Sequence, residues 1–217
     1  MNRKQWMIVS GGQTGVDRAA LVAAMTFSIP FGGWVPKGRF AEDGMVPAGF
    51  YSLKELPEGG YRARTRANVR DSDATLILVD ALPLTGGTAF TVELAESLGK
   101  PYKVVNLDAV GAQREIYDWM MSLEERPEVG DTIKMNVAGP RESKVPGIFE
   151  KAKGMLIKIL WGFRNFSGGD IVRVDDDGEL VAWIDAEFAE EIFDVRKNQE
   201  AARGEASAAE NEPEVSA

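Results

Sequence analysis

The chain has 217 residues, 44% apolar and 27% charged, the balance of a globular protein long enough to bury a sizeable core. It contains neither cysteine nor histidine and carries a net charge of −9. Those facts exclude disulfides, thiolate nucleophiles and the usual zinc or copper sites, restrict general acid–base chemistry to Asp, Glu, Lys and Tyr, and argue against a nucleic-acid partner held through its phosphates.

The N-terminal stretch "MNRKQWMIVSGG" has one short apolar patch and no small-residue cleavage site, so it reads as a first strand, Trp6–Ser10, rather than a signal peptide. No apolar run reaches the roughly 18–20 residues that a membrane helix requires. A cytoplasmic chain without membrane contact is therefore expected. After "GGQTG" a helix is predicted from Gly15 to about Thr26, with Val16, Ala19, Ala20, Ala23 and Ala24 at helical spacing and Asp17 in its first turn. The Gly- and Pro-dense run that follows predicts mostly loop, with one short strand near Gly33–Val35.

Tyr61–Arg70 predicts a basic helix, and "ATLILVD", Ala74–Asp80, is a continuous apolar run of the kind buried on both faces of a parallel sheet. A Gly-Gly turn then leads into a helix from about Thr88 to Leu98, closed by Gly99. "PYKVVNL" is the next strand, Ala112–Glu124 an amphipathic helix, "TIKMNVAG" a further strand, and a last long helix follows Pro146. Strand, glycine turn and helix in repetition predict a doubly wound parallel α/β sheet over residues 1–163. Residues 164–197 read as an appended β-hairpin, Ile171–Val174 and Leu180–Ile184 about an Asp177-Gly178 turn, with a short acidic helix. Residues 198–217 lack aromatics and read as a disordered acidic tail.

Two glycine turns carry the functional signal. "GGQTG" fits neither the dinucleotide fingerprint nor a Walker A loop, yet glycines between a strand and a helix direct backbone N–H groups outward as an anion site. Gly11, Gly12, Gln13, Thr14 and Gly15 are candidates there, with Asp17 available for a hydrogen bond. "TGGTAFT" is the second, contributing Gly86, Gly87, Thr88 and Thr91. On neighbouring strands, the two turns would face each other across a crevice. "YRARTRANVRDSD" adds four arginines, among them Arg64, together with Asn68, and "PKGR" adds Lys37. A local basic pocket in an acidic protein points to a small anionic ligand.

Together "GGQTGVDRAAL", "GGWVPKGRFAEDG", "YRARTRANVRDSDATLIL", "TGGTAFTVELAE" and "NVAGPRESKVPGI" resemble the molybdenum carrier family. That family is similar to the wider Rossmann-like group containing the lysine-decarboxylase-like, or "lonely guy", phosphoribohydrolases. The resemblance implies an oligomeric Rossmann-like carrier of the molybdenum cofactor, a pterin with a terminal phosphate, whose metal is held by the cofactor's own sulfurs rather than by protein ligands. It also implies an alternative, hydrolysis of a nucleoside monophosphate with Arg64 and Glu93 as catalytic residues; a nucleotide-sensing domain is a third reading. The hydrolase pattern is not intact: Thr85 stands for its Pro, Ala89 for a Gly and Phe90 for its Thr.

Overall fold

A computed structural model describes residues 4–165, 171–174 and 180–184. Its framework is a six-stranded sheet of β1 (Gln5–Val9), β2 (Phe31–Val35), β5 (Leu53–Glu55), β6 (Ala74–Val79), β7 (Tyr102–Asn106) and β8 (Thr132–Ala138). Every pairing in it is parallel, and the order across the sheet is β5-β2-β1-β8-β6-β7. Five helices connect and cover the strands: α1 (Val16–Thr26), α2 (Tyr61–Asp71), α3 (Gly86–Ser97), α4 (Ala112–Glu124) and α5 (Ile148–Asn165). Between β2 and β5 a two-stranded hairpin, β3 (Phe40–Ala41) and β4 (Gly44–Met45), follows a single 3-10 turn at Lys37–Arg39. The predicted Rossmann-like class is what forms.

The burial pattern explains the layering. Every residue of β6 is buried, so that strand must be covered on both faces. Ala74, Leu76 and Leu78 join the main core beneath α1, α4 and α5; by the alternation of a strand, Ile77 and Val79 face the other way. On that other face α2 and α3 pack together through a smaller cluster of Val69, Phe90, Leu94 and Ala95 against Tyr102.

Three features differ from the sequence reading. The strand predicted near Gly33 begins at Phe31, because its glycines serve close approach rather than a turn: Gly33, at φ +130°, lies where a Cβ would overlap the Ser10 carbonyl oxygen. The short edge strand β5 and the β3–β4 hairpin carry no periodic signal long enough to be seen. The strands that bear the two glycine turns are not neighbours either: β8, late in the chain, pairs with β1 on one side and β6 on the other. The turns therefore stand two strand spacings apart, roughly 9–10 Å. The predicted hairpin pairs as antiparallel β9 (Ile171–Val174) and β10 (Leu180–Ile184); its turn, the acidic helix and the tail lie outside the described residues. Among the described residues no helix is long and apolar enough to cross a membrane.

The loop after β8 seats directly on the start of α1. Gly15 has φ +72°, Val16 N–H donates to the Pro140 carbonyl at 3.2 Å, and a Cβ on Gly15 would overlap that carbonyl and reach within 2.8 Å of the Glu142 amide nitrogen. Gly15→Ala is accordingly expected to cost about 2–4 kcal/mol, a melting-temperature drop on the order of 5–15 °C. Gly99→Ala shares the positive φ, at +62°, but meets open space, and should cost only about 1 kcal/mol. Thermal denaturation of both variants checks this; equal losses would contradict the close-packing account.

Candidate functional site

The two glycine turns have opposite fates. At the first, the protein consumes its own donors. Gln13 N–H donates to the Asp17 carboxylate at 3.3 Å, Thr14 N–H to the Gln13 side-chain oxygen at 3.0 Å, and Val16 N–H to Pro140. Gly12, at φ +71°, is backed by Val46 and Leu53. Gly11 has no room for a Cβ because the Arg64 guanidinium occupies that space. The turn is glycine-rich so that the rest of the molecule can close against it.

At the second turn no described residue takes up the first donors. The first N–H groups of any helix lack intrahelical acceptors, and at α3 the N-cap Thr85 makes no side-chain capping bond. Among the described residues nothing lies within 4 Å of where a Cβ would stand on Gly86, at φ +57°, or on Gly87. The N-terminus of α5 is different, since the Glu142 carboxylate accepts from Phe149 N–H at 3.0 Å and from Gly147 N–H. Helix α3 thus presents an uncapped, unobstructed positive dipole end.

Helix α2 supplies the floor beside it. Arg64 Nη1 lies 2.6 Å from Asp17 Oδ2, with side chains only 12% and 5% exposed. Burial pushes the Asp17 carboxyl above its ordinary value, against the pull of Arg64. Arg64 Nε is buried with no hydrogen-bond partner among the described residues. Asn68 is committed to structure: its Oδ1 accepts from Trp34 N–H at 2.7 Å and its Nδ2 donates to the Trp34 carbonyl at 3.1 Å. It clamps α2 to β2. Arg62 Cζ stands 3.7 Å from the centroid of the Phe90 ring.

Loops after β6 and β8 complete a cavity of about 760 Å³. Gln13, Asp17, Arg64, Asn68, Gly86, Gly87, Thr88 and Thr91 all line it; Gly11, Gly12, Thr14, Gly15, Lys37 and Glu93 do not. Thr91 spends its hydroxyl on the Gly87 carbonyl at 2.9 Å, Lys37 lies exposed on the 3-10 turn, and Glu93 lies exposed on α3. The lining carries four cations, Arg62, Arg64, Arg141 and Lys144, against the carboxylates Asp17 and Asp80. In a protein of net charge −9, that is a local excess of positive charge.

A sequence profile of the circularly permutated YpsA SLOG family matches residues 8–160. The chain belongs to that family. Its permuted name suits a sheet whose late strand β8 fills the centre. Among solved structures this SLOG chain is similar to a putative molybdenum carrier protein from Syntrophus aciditrophicus SB, at 41% identity, with 73% of this chain and 96% of that one covered and a TM-score of 0.65. The molybdenum carrier resemblance is thereby upheld. No curated protein matches the chain.

Several lining residues of this SLOG site escaped the sequence reading. Arg62 sits in the arginine run, but nothing distinguishes it from its neighbours until α2 is turned against α3. Arg141 and Lys144 lie in a loop whose place beside β1 depends on the insertion of β8, and Asp80 ends an apolar strand. Among the described residues no group of three or more acidic side chains could hold a metal ion.

Glu42, in the β3–β4 turn, gathers the rim. Its carboxylate accepts from the Thr14 hydroxyl, from Ser143 N–H at 3.0 Å and from the Ser143 hydroxyl, and pairs with Arg141 Nε at 3.3 Å. Its own N–H donates to the Gln13 side chain at 2.9 Å. Partial burial would raise its pKa, but the Ser143, Thr14 and Arg141 contacts together hold it below the ordinary 4.5. A lowered carboxylate pKa adds stability that is complete above pH 4.5 and is lost as pH falls through the lowered value. The melting-temperature advantage of the natural chain over Glu42→Gln should therefore shrink as pH drops below 4.5. A gap that is constant or widens with acidification would contradict this network.

Proposed function

We propose that this chain binds and carries a small phosphorylated heterocycle, a pterin such as the molybdenum cofactor or a related nucleotide, with its phosphate at the N-terminus of α3. The observation that carries the reading is the uncapped Gly86-Gly87-Thr88 turn opening into a cation-lined cavity of an acidic protein. Free N–H groups at this turn and the Thr88 hydroxyl suit phosphate oxygens, and the dipole end favours the charge. Arg64, Arg141 and Lys144 add long-range attraction. The Gln13 side-chain oxygen is taken by the Thr14 and Glu42 amides, so its NH2 end is the one offered to a ligand acceptor.

The metal of such a cofactor is cargo, held by the cofactor's own sulfurs; Cys and His are absent from this chain, and the residues present suit the pterin and phosphate. Being named for a molybdenum carrier, the similar solved protein supports this substrate class. Hydrolysis of a nucleotide would need Glu93 at the ligand, and its exposed position outside the cavity gives that reading no support. Self-assembly belongs to the same proposal through the resemblance, and a cytoplasmic location through the lack of any apolar run of membrane-helix length.

Native mass spectrometry of gently purified protein, followed by denaturing release, should find a phosphorylated pterin or nucleotide on the natural chain. Gly87→Asp should abolish it while leaving the melting temperature unchanged or raised by a few degrees, since a carboxylate in the first turn favours the helix but repels an anion. Retention of the same ligand by Gly87→Asp would contradict the assignment to α3.

A further inference from the structure

Phe90 stands where the resembled phosphoribohydrolases have Thr, and the phosphate site makes no use of it. Its ring is mostly buried and one side rests in the Val69, Leu94 and Ala95 cluster, which makes it a fixed base. Arg62 Cζ lies only 3.7 Å from the ring centroid, a distance reached when a guanidinium lies over the face of the ring. Arg18, Arg64, Arg70, Arg114, Arg126 and Arg141 each have a carboxylate within ion-pair distance. Among the described residues Arg62 has none, so its partner is the ring.

Both residues line the cavity. Arg62 is seated over the Phe90 ring, is exposed and lines the cavity, so the side of its guanidinium away from the ring is open to a ligand. A guanidinium is planar, delocalised and weakly hydrated, which suits it to stack on a flat π-system. Phe90 follows Gly86 by four residues, about one helical turn or ~6 Å along α3, roughly the span of a pentose between a phosphate and a base. We infer that Arg62, laid flat on Phe90, is the platform on which the ligand's ring stacks, and that it selects a flat heterocyclic phosphate over a bare sugar phosphate. This inference rests on the phosphate site proposed above and names a second subsite of the same cavity.

Two probes test it by calorimetric titration: adenosine monophosphate or 6-hydroxymethylpterin phosphate, whichever the natural chain binds more tightly, and ribose 5-phosphate, which has no ring system to stack. Arg62→Lys keeps the charge and removes the plane; Phe90→Leu keeps apolar bulk and removes the ring. Each should weaken the flat-ring probe about three- to thirtyfold and leave ribose 5-phosphate within about twofold, with melting temperatures confirming the fold. Equal loss for both probes in Arg62→Lys would make Arg62 a phosphate contact and overturn the platform, as would no loss for either. A natural chain that binds both probes equally overturns the platform alone. One that binds neither overturns the phosphate site, and the platform with it.

Discussion

A buried ion pair organises the floor of this molecule. Asp17, in the first turn of α1, and Arg64, on α2, meet at 2.6 Å where neither side chain is well solvated. Taking two charges out of water is expensive, and a hydrophobic pair of similar volume often does as well for stability. Among the described residues the buried Arg64 Nε also has no hydrogen-bond partner, and an unpaired buried donor costs about 1–3 kcal/mol. What the pair achieves is placement. It requires Gly11, since any side chain there would collide with the guanidinium, and it pulls α2 over the ends of the central strands so that Arg62 reaches Phe90. Losing either partner would leave the other charge buried and uncompensated, which places the requirement on both helices at once.

The second constraint is topological. Ligands of open parallel sheets sit beyond the carboxyl ends of the strands, where the winding reverses. The winding runs outward from β1 through β2 to β5 and from β6 to β7, and β8 returns to fill the gap. Its loop then lies against Gly15 and uses up a donor of the first glycine turn. Two similar sequence signals thus diverge: "GGQTG" becomes a joint between α1 and the β8 loop, whereas "TGGT" keeps its N–H groups for the cavity. Glu42 holds that joint from above, through Thr14, Ser143 and Arg141.

Periodicity and glycine punctuation carry local information, and the elements they mark are present: the wholly buried β6, the helices α1 to α5 and the antiparallel pairing of β9 with β10. The α3 turn was legible for the same reason, because a strand, two glycines and a helix lie together in the chain. Information that resides in long-range contact was not. Asn68 looks like a polar residue free for a ligand until β2 lies alongside it and takes both ends of its amide. Lys37 sits exposed in a basic, glycine-rich loop outside the cavity lining, and Glu93 shares a helix with Gly86 and Gly87 but is exposed outside that lining too. Arg62, Arg141 and Lys144 gain their meaning only when three separate segments converge.

Whether the α3 turn is the end that receives the anion is read most directly by titrating inorganic phosphate into 15N-labelled protein and following the backbone amides. The Gly86, Gly87 and Thr88 resonances are predicted to shift together and saturate at one affinity, while those of Gly12, Thr14 and Val16, whose turn is closed by the protein itself, stay still. Shifts concentrated at the first glycine turn, or saturable binding that leaves the α3 amides unmoved, would contradict it.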